Sequence, residues 1–168
     1  TLYERKASVG RKFLIAGRGG LNLTHSEPMP AFVQRYREQA AAVGEWLTEF
    51  DNQELCAWSH GLGIETFTGS SGRIFPKDMK AAPLLRSWLK RLRESGVHFE
   101  VNHQALGFDE TGRLRMHTAD GEVAITSDAF IFALGGASWP QLGSDGQWQP
   151  WLQSEGLAIS HLRPANCG

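Results

Sequence analysis

The chain has 168 residues, with 17 Lys plus Arg against 18 Asp plus Glu and 41% hydrophobic residues. That balance argues against disorder, and the length suffices for one domain, or a piece of a larger one, with its own core. The longest uncharged stretch, Ala129 to Ser144, is 16 residues and holds Gly135, Gly136, Pro140 and Gly143, short of the ~20 apolar residues of a membrane span.

Two cysteines, Cys56 and Cys167, lie far apart without a CxxC. They argue against a disulfide scaffold or a zinc site and predict a reducing, cytoplasmic setting. Glycine is the outlier, with 19 of the 168 residues against a typical ~7%. Charge is uneven: residues 1–96 carry 14 basic and 10 acidic side chains, or +4, whereas residues 97–168 carry 3 and 8, or −5. The split predicts either an anion-facing N-terminal part or a solvated basic face.

In chain order, Leu2, Tyr3 and Glu4 read as the end of a strand. With Thr1 first and the chain stopping at Gly168 in what reads as a loop, the expectation is an internal piece of a longer protein, cut at both ends. From Ala31 to Phe50, Phe32, Tyr36, Ala40, Val43, Leu47 and Phe50 recur at helical spacing and predict one amphipathic helix. Asp51 and Glu54 form a capping-box pattern for a second helix to about Ser59, closed by Gly61 or Gly63. Ile64 to Thr68 and Arg73 to Phe75 read as strands around a Gly69 to Gly72 turn. A third helix is expected near Ala82 to Ser95, with Pro83 in its first turn, Gly96 past its end and a core face of Leu85, Trp88, Leu89 and Leu92. Lys90, Arg91 and Arg93 make its wet face.

Strands are then expected at Val97 to Val101, Ala105 to Phe108, Arg113 to Thr118 and Glu122 to Thr126, the last three forming an antiparallel meander over about residues 104–126. Ala129 to Leu134 is continuously apolar, as in a strand buried on both faces of a parallel sheet, and it runs into Gly135 and Gly136. In open α/β sheets, ligands sit beyond the carboxyl ends of such strands.

Three segments are candidate ligand contacts. Glu4, with Arg5, ends the opening strand, where a carboxylate either accepts hydrogen bonds from ribose hydroxyls or is merely solvated. The run Gly10, Arg11, Lys12, Gly17, Arg18, Gly19, Gly20, Leu21, Asn22 offers backbone N–H groups and positive charge to an anion or a ring carbonyl, or is a flexible basic loop. Leu134 to Ser138 lets a cofactor lie against a glycine pair, or is an ordinary turn. There is no P-loop, no GxSxG and no HExxH, and the six histidines lack metal-ligand spacing, so no metal is expected. His25, in the glycine-rich region, is a candidate for proton transfer. No catalytic acid or base is assigned.

Together these residues resemble a known family. Glu4-Arg5 followed by the Gly10 to Thr24 segment is similar to the GRKxxxSGGGRCNxTN stretch of the HI0933-like flavoproteins, also known as NAD(P)/FAD-dependent oxidoreductases. Gly69 to Pro76, Ala133 to Pro140 with Gly143-Ser144-Asp145-Gly146, and Arg163-Pro164-Ala165-Asn166 match in the same order. A subgroup with AGxGGLNLTHSE is the closer likeness. Two departures from the wider family are Gly20-Leu21, where Arg-Cys is usual, and Leu134, where Thr is usual. Roles resting on those side chains do not carry over.

The resemblance implies a Rossmann-like α/β fold with two dinucleotide-binding domains, of which residues 1–168 are a partial FAD-binding domain. It implies Glu4 at the adenosine ribose, Arg5 as a further cofactor contact, Lys12 and the Gly17, Gly19, Gly20 and Asn22 segment at the pyrophosphate and flavin, Ala105 near the adenine, and Gly135 and Gly136 against the cofactor. The implied activity is flavin-mediated hydride transfer on a small-molecule substrate, with NAD(P)H as a candidate electron donor. The family's GxGxxG strand and helix would precede Thr1 and its closing segment would follow Gly168, so the chain alone is expected to hold FAD weakly or not at all. A catalytically silent interaction module is the alternative. No membrane partner is expected without a spanning stretch, and nucleic-acid binding through the basic helix with Arg86, Lys90, Arg91 and Arg93 is a third, disfavoured reading, because a net charge of −1 leaves no strong electrostatic footprint.

Overall fold

The computed structural model describes residues 1–163. Pro164, Ala165 and Asn166 of the last family match, and Cys167, lie outside the described residues. The chain divides into two compact units, one made of Thr1–Arg11 and the chain from Val97 onward, the other of Lys12–Gly96. The second unit is therefore an insertion between two segments of the first.

In the first unit, β1 (Leu2–Glu4) pairs in parallel with β5 (Phe99–Val101). Beyond β5, Asn102 takes a left-handed conformation at φ 57°, which Asn tolerates better than most residues. The turn lets the His103 amide donate to the Glu4 carbonyl at 3.0 Å, which ties the chain to the end of β1. Next comes the meander of β6 (Gln104–Phe108), β7 (Leu114–Thr118) and β8 (Gly121–Ile125), in that spatial order. On β7, Leu114, Met116 and Thr118 are buried while Arg115 and His117 face out, as the alternation requires. Between β6 and β7, Asp109 Oδ1 accepts from the hydroxyl and amide of Thr111 and from the Arg113 amide. The Thr111 hydroxyl and the Arg113 amide hold the Asp109 carboxyl well below the usual carboxylate range.

The expected strand at Ala129 to Leu134 does not form. The segment pairs with no strand among the described residues. Phe130 and Phe132 instead pack on Phe108, at ring separations of 5.7 and 6.0 Å, and Phe132 meets Trp151 of α6 (Trp148–Ser154) at 5.3 Å. Ile131 between them is 94% exposed. Composition gave the segment two apolar faces, but a buried strand needs a pairing partner on each edge and cover on each face. Here only the phenylalanine face is covered.

In the second unit, α1 (Arg11–Ala16) leads into β2 (Thr24–His25), which pairs with β4 (Arg73–Pro76). β4 also pairs with β3 (Thr66–Thr68), so the expected hairpin gains a third strand. The expected single helix over Ala31 to Phe50 is broken into α2 (Met29–Gln34), a 3-10 turn at Arg37–Gln39 and α3 (Ala40–Glu49). Arg37 sits at φ 51°, outside the helical region, and the chain folds back so that α2 packs on α3. A Cβ on Gly44 would lie 3.5 Å from Val33 Cγ1. Apolar spacing runs unbroken through the turn, so periodicity gave no sign of it.

α4 (Asn52–Gly61) begins with the expected capping box. Asp51 Oδ1 accepts from the Gln53 and Glu54 amides at 2.8 Å, and the Asp51 amide donates to Glu54 Oε2 at 3.1 Å. The third expected helix is α5 (Ala81–Glu94). Its most buried residue is Leu84, at 0% exposure, one position before the predicted face. Leu84, Leu21 and Ala81 form the unit's core, with Phe13, Leu23, Trp58, Leu62 and Ile64 packed around them. Full burial of a leucine side chain contributes about 1.5–3 kcal/mol. No helix among the described residues is long and apolar enough to cross a membrane.

Candidate functional site

Glu4 is the last residue of β1, at the carboxyl end of the parallel pair. Its Oε1 accepts from the Lys6 amide at 2.8 Å, which fixes the carboxylate's direction at the strand end. Arg5 points elsewhere: its guanidinium pairs with Asp145 at 2.8 Å, with the two side chains 26% and 18% exposed. Burial works against the charged form of Asp145, but hydrogen bonds from Arg5 and from the Gln147 amide outweigh it, and its carboxyl lies below the usual value.

That ion pair fastens the loop carrying the glycine pair. Beside Asp145, the buried Ser144 hydroxyl donates to the Gly136 carbonyl at 2.7 Å, and Trp148 Nε1 donates to the Gly135 carbonyl at 2.9 Å. Within the first unit, contacts therefore link Glu4 and Arg5 to Gly135 and Gly136. Ala105 lies on β6, one of the two outer strands of the meander, opposite Met116 and next to a register shift at Gly107. Ser144, Asp145 and Trp148 hold the loop, yet sequence reasoning gave them no role. The only signal was the Gly143 to Gly146 match.

In the second unit, Lys12 lies exposed on α1, and Gly17, Gly19, Gly20 and Asn22 follow between α1 and β2. Gly17 is packed: a Cβ there would come 2.5 Å from the Ala81 Cβ. A Cβ at Gly20 would meet Met79 Cε at 2.5 Å. At Gly19 it would meet nothing within 4 Å, and the same holds at Gly136. Glycine is thus explained by packing at Gly17 and by a backbone φ of 106° at Gly20, whereas Gly19 and Gly136 leave room for a close ligand.

His25 is held on both sides. Its Nδ1 accepts from the Glu27 amide at 3.1 Å, and its Nε2 donates to the Ser71 carbonyl at 2.9 Å. Both ring nitrogens are thus engaged, which weighs against the proton-transfer role. Cys56, the free cysteine among the described residues, has its thiol pushed up by burial, as expected of an inert side chain. A depression of about 570 Å³ beside it is lined by Asn52, His60 and Ile74 among others, and by none of the expected cofactor-binding residues.

A curated protein from Clostridium scindens, a 3-dehydro-bile acid delta(4,6)-reductase, is 30% identical over 165 residues. The match covers 98% of this chain and 39% of the reductase, so the chain spans well under half of that relative's length. A family model described as the HI0933-like protein Rossmann domain matches residues 1–164. With the α/β architecture and a carboxylate closing its parallel strand pair, the chain belongs to the HI0933-like Rossmann-domain family.

Proposed function

We propose that the protein containing this chain is an FAD-dependent oxidoreductase acting on a small molecule. The observation that carries the reading is the end of β1, where the Glu4 carboxylate is fixed by the Lys6 amide and the Arg5–Asp145 pair docks the glycine-pair loop beside it. A carboxylate at the end of a parallel strand suits a ribose diol, and the open side of Gly136 suits a flat group against the backbone. The residues present therefore fit the cofactor. Bound FAD would supply the hydride chemistry. Glu4 would orient the adenosine ribose, Arg5 would act through Asp145 as a positioning residue, and Ala105, Gly135 and Gly136 would offer backbone contacts. In the other unit, Lys12, Gly19 and Asn22 remain candidate contacts to the cofactor, and Gly17 and Gly20 would shape the segment that carries them.

The relative's name as a reductase supports the redox class, with NAD(P)H the electron donor we favour and the cytoplasm the compartment. We also propose that the 168-residue chain is a partial FAD-binding domain holding the cofactor weakly, since it contains no GxGxxG run of N–H donors for the pyrophosphate.

Absorbance spectra of the purified full-length protein and of the chain test both proposals. A yellow full-length protein beside a colourless or substoichiometric chain is expected. A full-length protein that stays colourless when offered FAD overturns the function, and a stoichiometrically yellow chain overturns the weak-binding reading.

A further inference from the structure

Two sequence motifs that the flavin reading leaves without a full account meet in the second unit. β2 carries His25 and β4 carries Arg73, and the two residues stand directly opposite in the antiparallel pair. Gly72 lies so close under His25 that a Cβ there would come 2.6 Å from the ring, and the Ser26 amide donates to the Gly72 carbonyl at 2.8 Å. This corner is tightly fixed. Beside it is a depression of about 360 Å³ lined by His25, Glu27, Phe32, Arg35, Ser71 and Arg73.

The charges around this depression do not cancel. Glu27 is matched by Arg35, whose Nε and Nη2 donate to its two carboxylate oxygens at 2.7 and 2.9 Å. The Arg35 hydrogen bond and charge hold the Glu27 carboxyl below its usual value. A guanidinium carries five N–H donors in a planar fork, of which Glu27 engages those at Nε and Nη2, and Arg35 itself lines the depression. Arg73 is exposed and enters none of the ion pairs among the described residues. His25 adds no compensating negative charge. One uncompensated guanidinium and a second, paired one thus border a depression that also has an aromatic wall, Phe32.

We propose that this depression is a binding site for a small organic anion, whose oxyanion is held by Arg73 and Arg35 and whose apolar body lies on Phe32. Arginine forks suit both carboxylate and phosphate. The site is independent of the flavin reading, and its test needs no flavin.

The experiment is NMR titration of the isotope-labelled full chain with inorganic phosphate and, separately, with benzoate, followed at the Arg35 and Arg73 Nε–H and Ser71 amide resonances. Saturable shifts confined to this corner at millimolar anion are expected. Arg73→Met should weaken binding about tenfold, the loss expected from one charge-assisted pair, while Arg86→Met, which removes an equal charge from the exposed side of α5, should leave it unchanged. Shifts with phosphate alone identify a phosphate-bearing ligand, shifts with benzoate alone a carboxylate with an apolar body, and either supports the site. Three results overturn it: no saturable shift with either anion, undiminished binding in Arg73→Met, or an equal loss in Arg86→Met.

Discussion

At Gly17 and Gly20 an added methyl group would come within 2.5 Å of Ala81 and Met79, whereas at Gly19 and Gly136 it would meet nothing within 4 Å. Gly135 stands between these cases, at φ 72° with Ser144 Oγ 3.1 Å from a would-be Cβ. In sequence the two clusters, Gly17 to Gly20 and Gly135 to Gly136, look like one kind of feature. In the fold, the first is mainly a packing device for the second unit's core. The second is a loop hung from Arg5 by Asp145, left-handed at one glycine and open at the next. The same residue type thus serves core density in one place and access in the other.

The sharpest way to break this comparison is Gly17→Ala. The methyl would press on Ala81 Cβ, a buried helix residue that cannot swing aside, so a loss of about 1–3 kcal/mol is expected from overpacking. Urea unfolding should show a lower midpoint at unchanged slope. A midpoint equal to wild type would mean that Gly17 is not a packing glycine. Next in size is Gly135→Ala, which forces a side chain into the left-handed region at a cost of about 1–2 kcal/mol and crowds the Ser144 hydroxyl.

Gly136→Ala and Gly19→Ala should change stability by no more than about 0.5 kcal/mol, because neither needs a positive φ and neither has a neighbour to displace. Their effect belongs to binding. On the proposed flavin function, Gly136→Ala in the full-length protein should weaken FAD affinity several-fold, measured by fluorescence titration of the apoprotein. Full affinity in that variant would end the close-approach role of Gly136 while leaving the packing role of Gly17 intact.

What could be read from the residues alone follows the range of the interactions. The capping box at Asp51 and Glu54, Pro83 in the first turn of α5 and the β7 alternation involve neighbours within a few residues, and each stands as expected. The break at Arg37 and the unpaired Ala129 to Leu134 segment depend on what packs against them, which apolar spacing does not encode. β2 is two residues long and exists only because β4 offers it an edge. The site divides in the same way. Glu4 was recognisable as a carboxylate closing a strand, but its neighbour Arg5 takes its meaning from Asp145, far along the chain. Nothing local announces such a pair. The side chains that anchor Gly135 and Gly136, Ser144 and Trp148, were hidden for that reason too.

Acid should separate the two clusters without any substitution. Asp145 has a folded-state pKa below its ordinary value, so its contribution is fully present above the unfolded pKa of about 3.9 and is lost as pH falls through the lower folded value. The contribution is about 1 kcal/mol or less, as for other partly exposed pairs. Below about pH 4, hydrogen exchange at the Ser144 amide, which donates to the Trp139 carbonyl inside the same loop, should accelerate relative to its intrinsic rate. The Gly20 and Leu21 amides, which donate to the Gly17 and Met79 carbonyls, involve no titrating group and should keep their protection. Asp145→Asn should make the loop's exchange high and insensitive to this pH range. Equal acceleration at both clusters would mean that acid loosens the molecule generally, and that the Arg5–Asp145 pair does not hold the glycine loop in place.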